Sequence, residues 1–434
     1  MKNILHYINA LAFLLIFIDT TAQVAERIPV DSFAFVRYEN DTLTFSPDTS
    51  HLPYFFNKLD EVIRSKTGNI NIMHIGGSHV QAGVFPHRIR HNILHNFPEL
   101  IGRRGMIFPY SVAPKCNNPY DYRVSKNTTF SLVRNVYKNL EKPLGVTGIA
   151  VYTADSSAEI KISLNDNSLP FVTDRIVLLG RPDSSWTTQD SNGQYTYRIV
   201  PIIIANEKEI FPSSIDTLNE RYIYNVESIT DSFRIKINNP DSIPFTINGI
   251  LLDNDRPGIT YHSIGVNGAC VNSYLKCEHF DRDLALLAPD LVIFGIGIND
   301  ANGPNFDTLT FEHDYLTLIQ HIKNVNPNCA FIFITNNDCY KRISRKKYTV
   351  NLNGPKVQRT FYRIAAQIGG AVWDQFDIMG GLRSMEKWRI AKLAQYDRIH
   401  FTNKGYTFIG DLFYNAFVEA WEKCKTIQEN LPNR

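Results

Sequence analysis

Strand and helix patterns alternate in two stretches of this chain, and this alternation limits its fold more than any other feature. The first stretch, residues 53–114, has a helical spacing at Tyr54, Leu59 and Ile63 before its first strand. A chain that repeats strand and helix folds into a parallel sheet covered by helices on both faces. We predict strands of this sheet at residues 70–75, 258–264, 291–294, 330–335 and 371–373.

The stretch between these two, residues 117–255, has the period of two that is typical of half-buried strands. Ile160, Ile162 and Leu164 alternate there with Lys161 and Ser163. Short alternating strands separated by turns favour a β-sandwich or jelly roll. The sequence therefore predicts one α/β domain, residues 23–116 and 256–434, interrupted by an inserted β-sandwich domain, residues 117–255.

The N-terminus has the pattern of a secretory signal peptide. Lys2 precedes an apolar run, residues 4–18, and small residues follow up to Ala22. The run is short for a membrane span, which needs about 20 apolar residues. We expect residues 1–22 to be cleaved, giving a secreted or periplasmic protein with no stable membrane insertion. An uncleaved anchor is the alternative.

Composition narrows the possible partners. The 434 residues carry a formal net charge of +2, so bulk charge does not predict a nucleic-acid partner. The basic run at residues 341–347 is interpreted as a solvated loop. The six cysteines lack the C-x-x-C spacing of zinc sites, and their pairing stays open. We expect neither a metal nor a cofactor.

Functional residues of open α/β sheets lie at the carboxyl ends of the strands. Four segments with suitable chemistry follow predicted strands or precede the last helix. They are Gly76-Gly77-Ser78-His79, Gly265-Val266-Asn267-Gly268-Ala269, Gly295-Ile296-Gly297-Ile298-Asn299-Asp300 and Asp397-Arg398-Ile399-His400.

Together these residue types fit acyl transfer. A serine hydroxyl becomes nucleophilic when a base takes its proton, and His400 can take the proton of Ser78. Asp397, three residues before His400, can orient the imidazole and stabilise its charged form. Three candidates can stabilise an oxyanion: the backbone N–H groups of Ser78 and Gly268, and the side-chain amide of Asn299. Any one of these segments alone is more typical of a turn or a helix cap.

The four segments resemble the conserved blocks of the SGNH/GDSL hydrolases, over residues 53–114 and 258–423. The resemblance implies a flavodoxin-like three-layer α/β domain, with Ser78, His400 and Asp397 as catalytic triad. It places Ser78, Gly268 and Asn299 in the oxyanion hole. His74–Gly83, Tyr261–Ala269 and Tyr396–Thr402 look most like the peptidoglycan O-acetylesterases. That group also has a β domain, similar to carbohydrate-binding modules, between its first two blocks.

The resemblance implies a substrate. The expected reaction is hydrolysis of O-acetyl esters on an extracytoplasmic polysaccharide, with peptidoglycan preferred. Another acetylated glycan, or a non-catalytic glycan-binding role, is the alternative. Trp186, Tyr195 and Tyr197 of the β insert are candidates for stacking on sugars or for core packing. The oligomeric state stays open.

The family usually has Asp where this chain has Gly77, which predicts a less rigid nucleophile turn. His79 is expected to line the substrate cleft rather than to act as the base. His87, His91 and His95 form a stripe at helical spacing, interpreted as a polar helix face rather than a zinc site.

Overall fold

The computed structural model describes residues 25–429, except positions 99, 101, 115, 165–170, 190, 230 and 346. The predicted signal peptide, residues 1–22, lies outside the described residues. Within the described part of the chain, no helix combines the length and apolar character that crossing a membrane requires.

The helices and strands are numbered separately in chain order. Helices α1 to α11 are Leu52–Ser65, Ser78–Gln81, Val84–Asn96, Val271–Leu275, Phe280–Leu287, Ile298–Asn302, Thr308–Val325, Gly354–Ile368, Gln375–Ile378, Met385–Ile390 and Asn403–Glu429. Strands β1 to β11 are Leu43–Thr44, Asn69–Gly76, Gly105–Ile107, Tyr122–Lys126, Ser131–Arg134, Ile149–Thr153, Ser157–Leu164, Thr173–Pro182, Thr187–Gln189, Tyr195–Tyr197 and Ile202–Ala205. Strands β12 to β22 are Lys208–Ile210, Ser214–Asp216, Arg221–Ile229, Ser232–Asn238, Phe245–Asp253, Gly258–Gly265, Leu291–Gly295, Ala330–Ile334, Tyr340–Ser344, Lys347–Val350 and Ala371–Trp373.

The α/β part is built on a six-stranded sheet in the order β1-β22-β19-β18-β2-β17. All neighbours pair in parallel except the edge strand β1, which is antiparallel to β22. If the five parallel strands are renumbered 1 to 5 in the order in which they occur along the chain, their order across the sheet is 2-1-3-4-5, which is the flavodoxin-like order. The predicted fold class is confirmed. The strand order reverses beside β2, so the end of β2 is where this topology places ligands.

Alternating side chains of the sheet face two separate cores. On β2, Ile70 and Ile72 pack in the core shared with α1, α3 and α11. Met73 and Ile75 point to the opposite face, whose core includes α5, α7 and α8. Each such side chain, fully buried, stabilises the fold by about 1.5–3 kcal/mol relative to an exposed one. Helices therefore cover both faces of the sheet and form three layers.

The buried face of α1 differs from the predicted spacing at one position. Tyr54 is 54% exposed, whereas Phe55, Phe56 and Leu59 are buried. Ile63 is partly buried against the same core. The helix and two of its three named positions were predicted correctly, but Phe55 rather than Tyr54 faces the core.

Two large antiparallel sheets and the two-stranded pair of β9 and β10 form the described β part. One has the order β13-β14-β8-β16-β6-β5 with β3 added on β16, and the other has the order β12-β11-β15-β7-β4. Ile160 and Ile162 of one sheet and Leu178 and Ile247 of the other share a single buried core. The sheets therefore pack face to face, as predicted for a β-sandwich. Strand β3 joins this part although it precedes residue 117, and the exact domain boundaries stay a prediction.

A buried ion cluster joins α3 to the segment that enters β4. The carboxylate of Asp121 lies 2.6 Å from Arg104 and 3.2 Å from Arg90, and all three side chains are only 2% exposed. Burial raises the pKa of Asp121, but the two guanidinium groups outweigh burial and lower it. The cluster holds the start of the β part against the α/β part.

Replacing Asp121 with asparagine should leave two buried guanidinium groups without their anion. We expect the free energy of unfolding to fall by about 3 kcal/mol at neutral pH, because unpaired buried charge is costly. The pKa of Asp121 is depressed, so the difference from wild type should shrink as pH falls through that lowered pKa. Thermal unfolding measures it, with the exposed Asp255→Asn as control. Equal stability of both variants at neutral pH would contradict this role of the cluster.

Candidate active site

The nucleophile candidate, Ser78, begins α2 immediately after β2. The tight turn requires glycine at position 76, because a Cβ there would lie 2.3 Å from Val80 and 2.6 Å from the Gly295 carbonyl. Tyr274 donates its hydroxyl hydrogen to the Gly76 carbonyl at 2.8 Å. The turn thus presents Ser78 at the carboxyl edge of the sheet, where β2 meets the topological switch point.

The structure brings together the three residues predicted as a triad. Ser78 Oγ lies 2.8 Å from His400 Nε2, and His400 Nδ1 lies 2.7 Å from Asp397 Oδ2. The second carboxylate oxygen, Oδ1, accepts the backbone N–H groups of Ile399 at 2.9 Å and His400 at 3.0 Å. A hydroxyl, an imidazole and a carboxylate are therefore connected by hydrogen bonds, although 322 positions separate Ser78 from His400.

The electrostatics of Asp397 suit an orienting anion. Partial burial raises its pKa, but hydrogen bonds from the His400 ring and from the backbone of His400 and Ile399 outweigh this and lower the pKa to about 2. Asp397 therefore remains ionised above about pH 3. An ionised partner fixes the proton of His400 on Nδ1 and leaves Nε2 free to accept the hydroxyl proton of Ser78.

Neighbouring residues hold the Asp397–His400 turn in place. Arg398, between them, has a positive φ of 59° and pairs with Glu386 at 2.8 Å. The Asn337 amide donates to the Ile399 carbonyl at 3.1 Å. These contacts fix the backbone conformation that aims the imidazole at Ser78.

The oxyanion-hole candidates Gly268 and Asn299 line the same cleft as Ser78. Gly268 has a φ of 86°, a left-handed conformation that favours glycine. A Cβ at this position would contact almost no other atoms, so the backbone conformation and not a lack of space favours glycine here. Asn299 donates one amide hydrogen to the Ala269 carbonyl at 3.0 Å. An amide nitrogen carries two hydrogens, so the second is free to serve a ligand in the cleft.

Sequence reasoning missed Gln81, which joins two of the blocks. Its side-chain oxygen accepts the backbone N–H of Asn267 at 2.7 Å, and its amide donates to the Asn117 carbonyl at 3.2 Å. Gln81 therefore sets the distance between the nucleophile helix and the Gly268 loop. Its place one helical turn after Ser78 was the available signal, because residues three apart share a helix face.

The glycine at position 77, where the family usually has Asp, lies against the oxyanion-hole candidates. A Cβ there would be 3.3 Å from the Asn299 amide nitrogen and 3.6 Å from the Ala269 carbonyl oxygen. The Gly77 carbonyl accepts the backbone N–H of Gln81 at 3.0 Å. Backbone hydrogen bonds and Asn299 therefore contact this turn without an aspartate, and whether the turn is less rigid stays a prediction.

His79 is not where the sequence placed it. It does not line the cleft with Ser78 but lies behind His400, with ring centroids 5.3 Å apart. Its Nδ1 is 2.8 Å from the Tyr406 hydroxyl. Burial, together with the nearby His400, lowers the pKa of His79 to about 3, so it is neutral at physiological pH. The residue after Ser78 on a helix points away from the Ser78 side, so the His79 ring lies against His400 and outside this cleft.

The cleft has a volume of about 520 Å³ and a wall rich in side-chain amides. Three of these amides belong to the motif blocks, whereas the other four lie outside them and had no motif to reveal them. The set consists of Gln81, Asn117, Asn118, Asn267, Asn299, Gln395 and Asn403. Amides both donate and accept hydrogen bonds, as the hydroxyl groups of a sugar require.

The remaining candidates lie elsewhere. His87 is buried 3.9 Å from Asp121, whereas the His91 and His95 rings stack 5.9 Å apart. The described residues contain no group of three or more side chains suited to a metal ion. In the β part, Tyr195 is 69% exposed, Tyr197 is 43% exposed and Trp186 packs against Tyr222.

The basic run forms the exposed hairpin of β20 and β21 rather than a loop, apart from position 346, which is not described. All six cysteines are unpaired thiols in this structure.

Residues 228–408 match the GDSL-like lipase/acylhydrolase family. The match spans 181 of the chain's 434 residues. The matched range includes Gly268, Asn299 and the Asp397–His400 segment. It does not include Ser78, so the assignment of Ser78 as the nucleophile candidate depends on its motif and on the hydrogen bond to His400. The predicted class, a carboxylic ester hydrolase of this family, is confirmed.

The whole architecture also has a match. A solved structure of a peptidoglycan O-acetylesterase is 21% identical with a TM-score of 0.69, covering 88% of this chain and 99% of that chain. A lipase/acylhydrolase from Enterococcus faecalis is 19% identical with a TM-score of 0.30, covering 38% of this chain and 77% of that chain. An acetyl xylan esterase is 20% identical with a TM-score of 0.28, covering 36% and 80%. No curated protein sequence matches. The first match shows that the GDSL-like domain and its β-sandwich occur together in another protein.

Replacing Asn299 with alanine tests the oxyanion hole. We expect kcat to fall by about 10²–10³, because one preorganised donor to the developing negative charge is lost. KM should change little if the donor acts only in the transition state. Steady-state hydrolysis of 4-nitrophenyl acetate measures both constants, and Asn328→Ala, on a distant exposed turn, is the control. An unchanged kcat would exclude Asn299 from the oxyanion hole.

Proposed function

We propose that this chain is a serine esterase that removes O-acetyl groups from an extracytoplasmic polysaccharide, with peptidoglycan as the preferred polymer. The observation that carries the proposal is the hydrogen-bonded chain from Ser78 through His400 to Asp397. It opens into a cleft whose amide side chains suit the hydroxyl groups of a glycan.

The proposed reaction has two halves. In the first, His400 Nε2 takes the proton of Ser78 Oγ while the oxygen attacks the acetyl carbonyl carbon. The tetrahedral oxyanion is stabilised by the Ser78 and Gly268 N–H groups and by the Asn299 amide. His400 then returns the proton to the departing sugar oxygen, which leaves as a hydroxyl group, and an acetyl group remains on Ser78.

Water completes the reaction. His400 takes a proton from a water molecule as its oxygen attacks the acetyl-enzyme, and acetate leaves when the proton returns to Ser78 Oγ. Asp397 stays ionised throughout and stabilises the imidazolium formed in each half. The chain's own residues are sufficient for every step.

The acyl group and the polymer rest on similarity. The solved structure that shares this architecture over 99% of its length is a peptidoglycan O-acetylesterase. The predicted signal peptide, residues 1–22, would direct export of the protein and then be removed. The mature protein would therefore lie outside the cytoplasm, where this polymer is found. The β-sandwich would then help to bind the glycan or to shape the cleft.

Acetate release from O-acetylated peptidoglycan, compared with acetylated xylan, tests the proposal. We expect faster release from peptidoglycan by wild type and background release by Ser78→Ala. Release from xylan alone would move the assignment to another acetylated glycan. No release from either polymer, with equal glycan binding by wild type and Ser78→Ala, would favour a non-catalytic binding protein and reject the esterase.

A further inference from the structure

A second cavity, of about 920 Å³, adjoins the cleft that contains Ser78. The two share part of their walls, namely Val84, Asn118, Tyr120 and Asn403. From there the second cavity continues along α3 and the segment that leads into β4. We call it the side groove. When an acetylated sugar of a polymer occupies the cleft, the adjacent units of that polymer need space beside the cleft. The side groove provides such a space.

The side groove has a cationic lining. Arg88 and Arg123 both contribute to its wall. Arg88 is paired with Asp411 at 2.6 Å, whereas Arg123 is exposed and forms no ion pair with any described residue. The carboxylate in the wall, Asp121, is buried between Arg90 and Arg104 and is already neutralised. The side groove therefore offers an anion one cation, Arg123, that no described carboxylate occupies.

Tyr120 stands where the cleft and the side groove meet. Its side chain is 53% exposed, and its ring centroid lies 5.8 Å from that of His87. An exposed aromatic ring between two cavities gives a flat apolar surface on which a sugar ring can pack. Amide side chains on the cleft side and a guanidinium on the groove side thus flank one aromatic surface.

We propose that the side groove binds a unit next to the acetylated sugar through a carboxylate, and that Arg123 is the residue that pairs with it. This inference rests on the proposed function and adds a substrate class: an acetylated glycan that bears carboxylates. A guanidinium recognises a carboxylate through two parallel N–H···O bonds, which suits Arg123 to the task. The carboxylate belongs either to the sugar itself or to a peptide attached to it.

Arg123→Gln, which removes the charge and keeps most of the length, tests the pairing. For acidic O-acetylated glycan strands we expect KM to rise by about tenfold with kcat unchanged. The substitution removes a charge-assisted hydrogen bond that holds the substrate equally well in the ground state and in the transition state. The same strands with their carboxylates converted to methylamides should show no difference between variant and wild type. Arg64→Gln, an exposed arginine on α1, is the matched control and should behave as wild type on both substrates.

Two kinds of strand identify the source of the carboxylate. Strands stripped of stem peptides carry it on the sugar, whereas strands with intact peptides carry it at the peptide ends. An Arg123 effect on either kind supports the proposal and assigns the source. Equal KM values for Arg123→Gln and wild type on both kinds, or an equal loss on amidated strands, would overturn it.

A binding measurement separates this inference from the esterase proposal. Ser78→Ala and the double variant Ser78→Ala/Arg123→Gln are titrated with the acidic strands by calorimetry. We expect Kd to be about tenfold higher for the double variant. If wild type releases no acetate but this difference persists, the esterase proposal fails and the side groove stands. Equal Kd values would reject the side groove even in an active esterase.

Discussion

Ser78→Ala should lower kcat for acetate release by about 10⁴–10⁶-fold, because it removes the atom that forms the acyl-enzyme. The fold should survive, since Ser78 is half-buried and its hydroxyl is hydrogen-bonded to His400 alone within the described part of the chain. Acetate release measures the loss, and circular dichroism with thermal unfolding checks the fold. Ser344→Ala, on the exposed hairpin, is the control and should retain full activity.

The size of the remaining activity is informative. Residual hydrolysis above the uncatalysed rate is expected, because the oxyanion donors and the cleft still bind the ester. A loss of less than tenfold in a folded Ser78→Ala variant would show that another group attacks the ester.

Asp397→Asn should lower kcat by about 10⁴-fold while the residues stay in place. The asparagine oxygen can still accept the backbone N–H groups of Ile399 and His400. Its amide nitrogen would face His400 Nδ1 and donate to it, which moves the ring proton to Nε2. His400 could then no longer accept the proton of Ser78, so the loss arises from the wrong tautomer rather than from altered geometry.

Steady-state kinetics with 4-nitrophenyl acetate measure the effect of Asp397→Asn. The pKa of Asp397 is lowered to about 2, so the wild-type carboxylate does not change its charge between pH 5 and pH 8. The effect of the substitution should therefore appear throughout that range. Asp48→Asn, at an exposed turn, is the control. If Asp397→Asn keeps more than a tenth of wild-type activity, Asp397 is not the residue that orients His400.

Local sequence was sufficient for the parts of the fold that depend on chain order. The apolar run at residues 291–294 could only be buried on both sides, and it forms the central parallel strand β18. Strand–helix alternation and strand ends then placed Ser78 and Asn299 on one edge of the sheet. The triad geometry follows from that topology plus the short turn that connects Asp397 to His400.

Other features depend on contacts between distant segments, and no local pattern encodes them. Tyr54 and Phe55 are both aromatic, yet Tyr54 is exposed whereas Phe55 is buried and packs against Phe417 of α11. His79 is adjacent to Ser78 in sequence, yet Tyr406 from α11 determines where its ring lies. Strand β3 joins the β-sandwich because β6 pairs only with residues 245–247 of β16, which leaves residues 250–252 of that strand to pair with β3.

The site shows the same division. The motif residues were visible because each block carries its own spacing, whereas the surroundings of Gln81 and Arg123 are built from segments that are far apart in the chain. Gln81 matters because Asn267 comes within 2.7 Å of it, and Arg123 because α3 and the loop before β4 enclose a groove. Such roles become apparent only when the tertiary structure is known.

Trapping the acyl-enzyme is the decisive test of Ser78 as the nucleophile. Wild type is mixed with an O-acetylated substrate, quenched in acid within the first turnover, and digested for peptide mass spectrometry. We expect an acetyl group on Ser78 in wild type and on no residue in Ser78→Ala. Acetylation of a different residue, or undiminished acetate release by Ser78→Ala, would show that Ser78 is not the nucleophile.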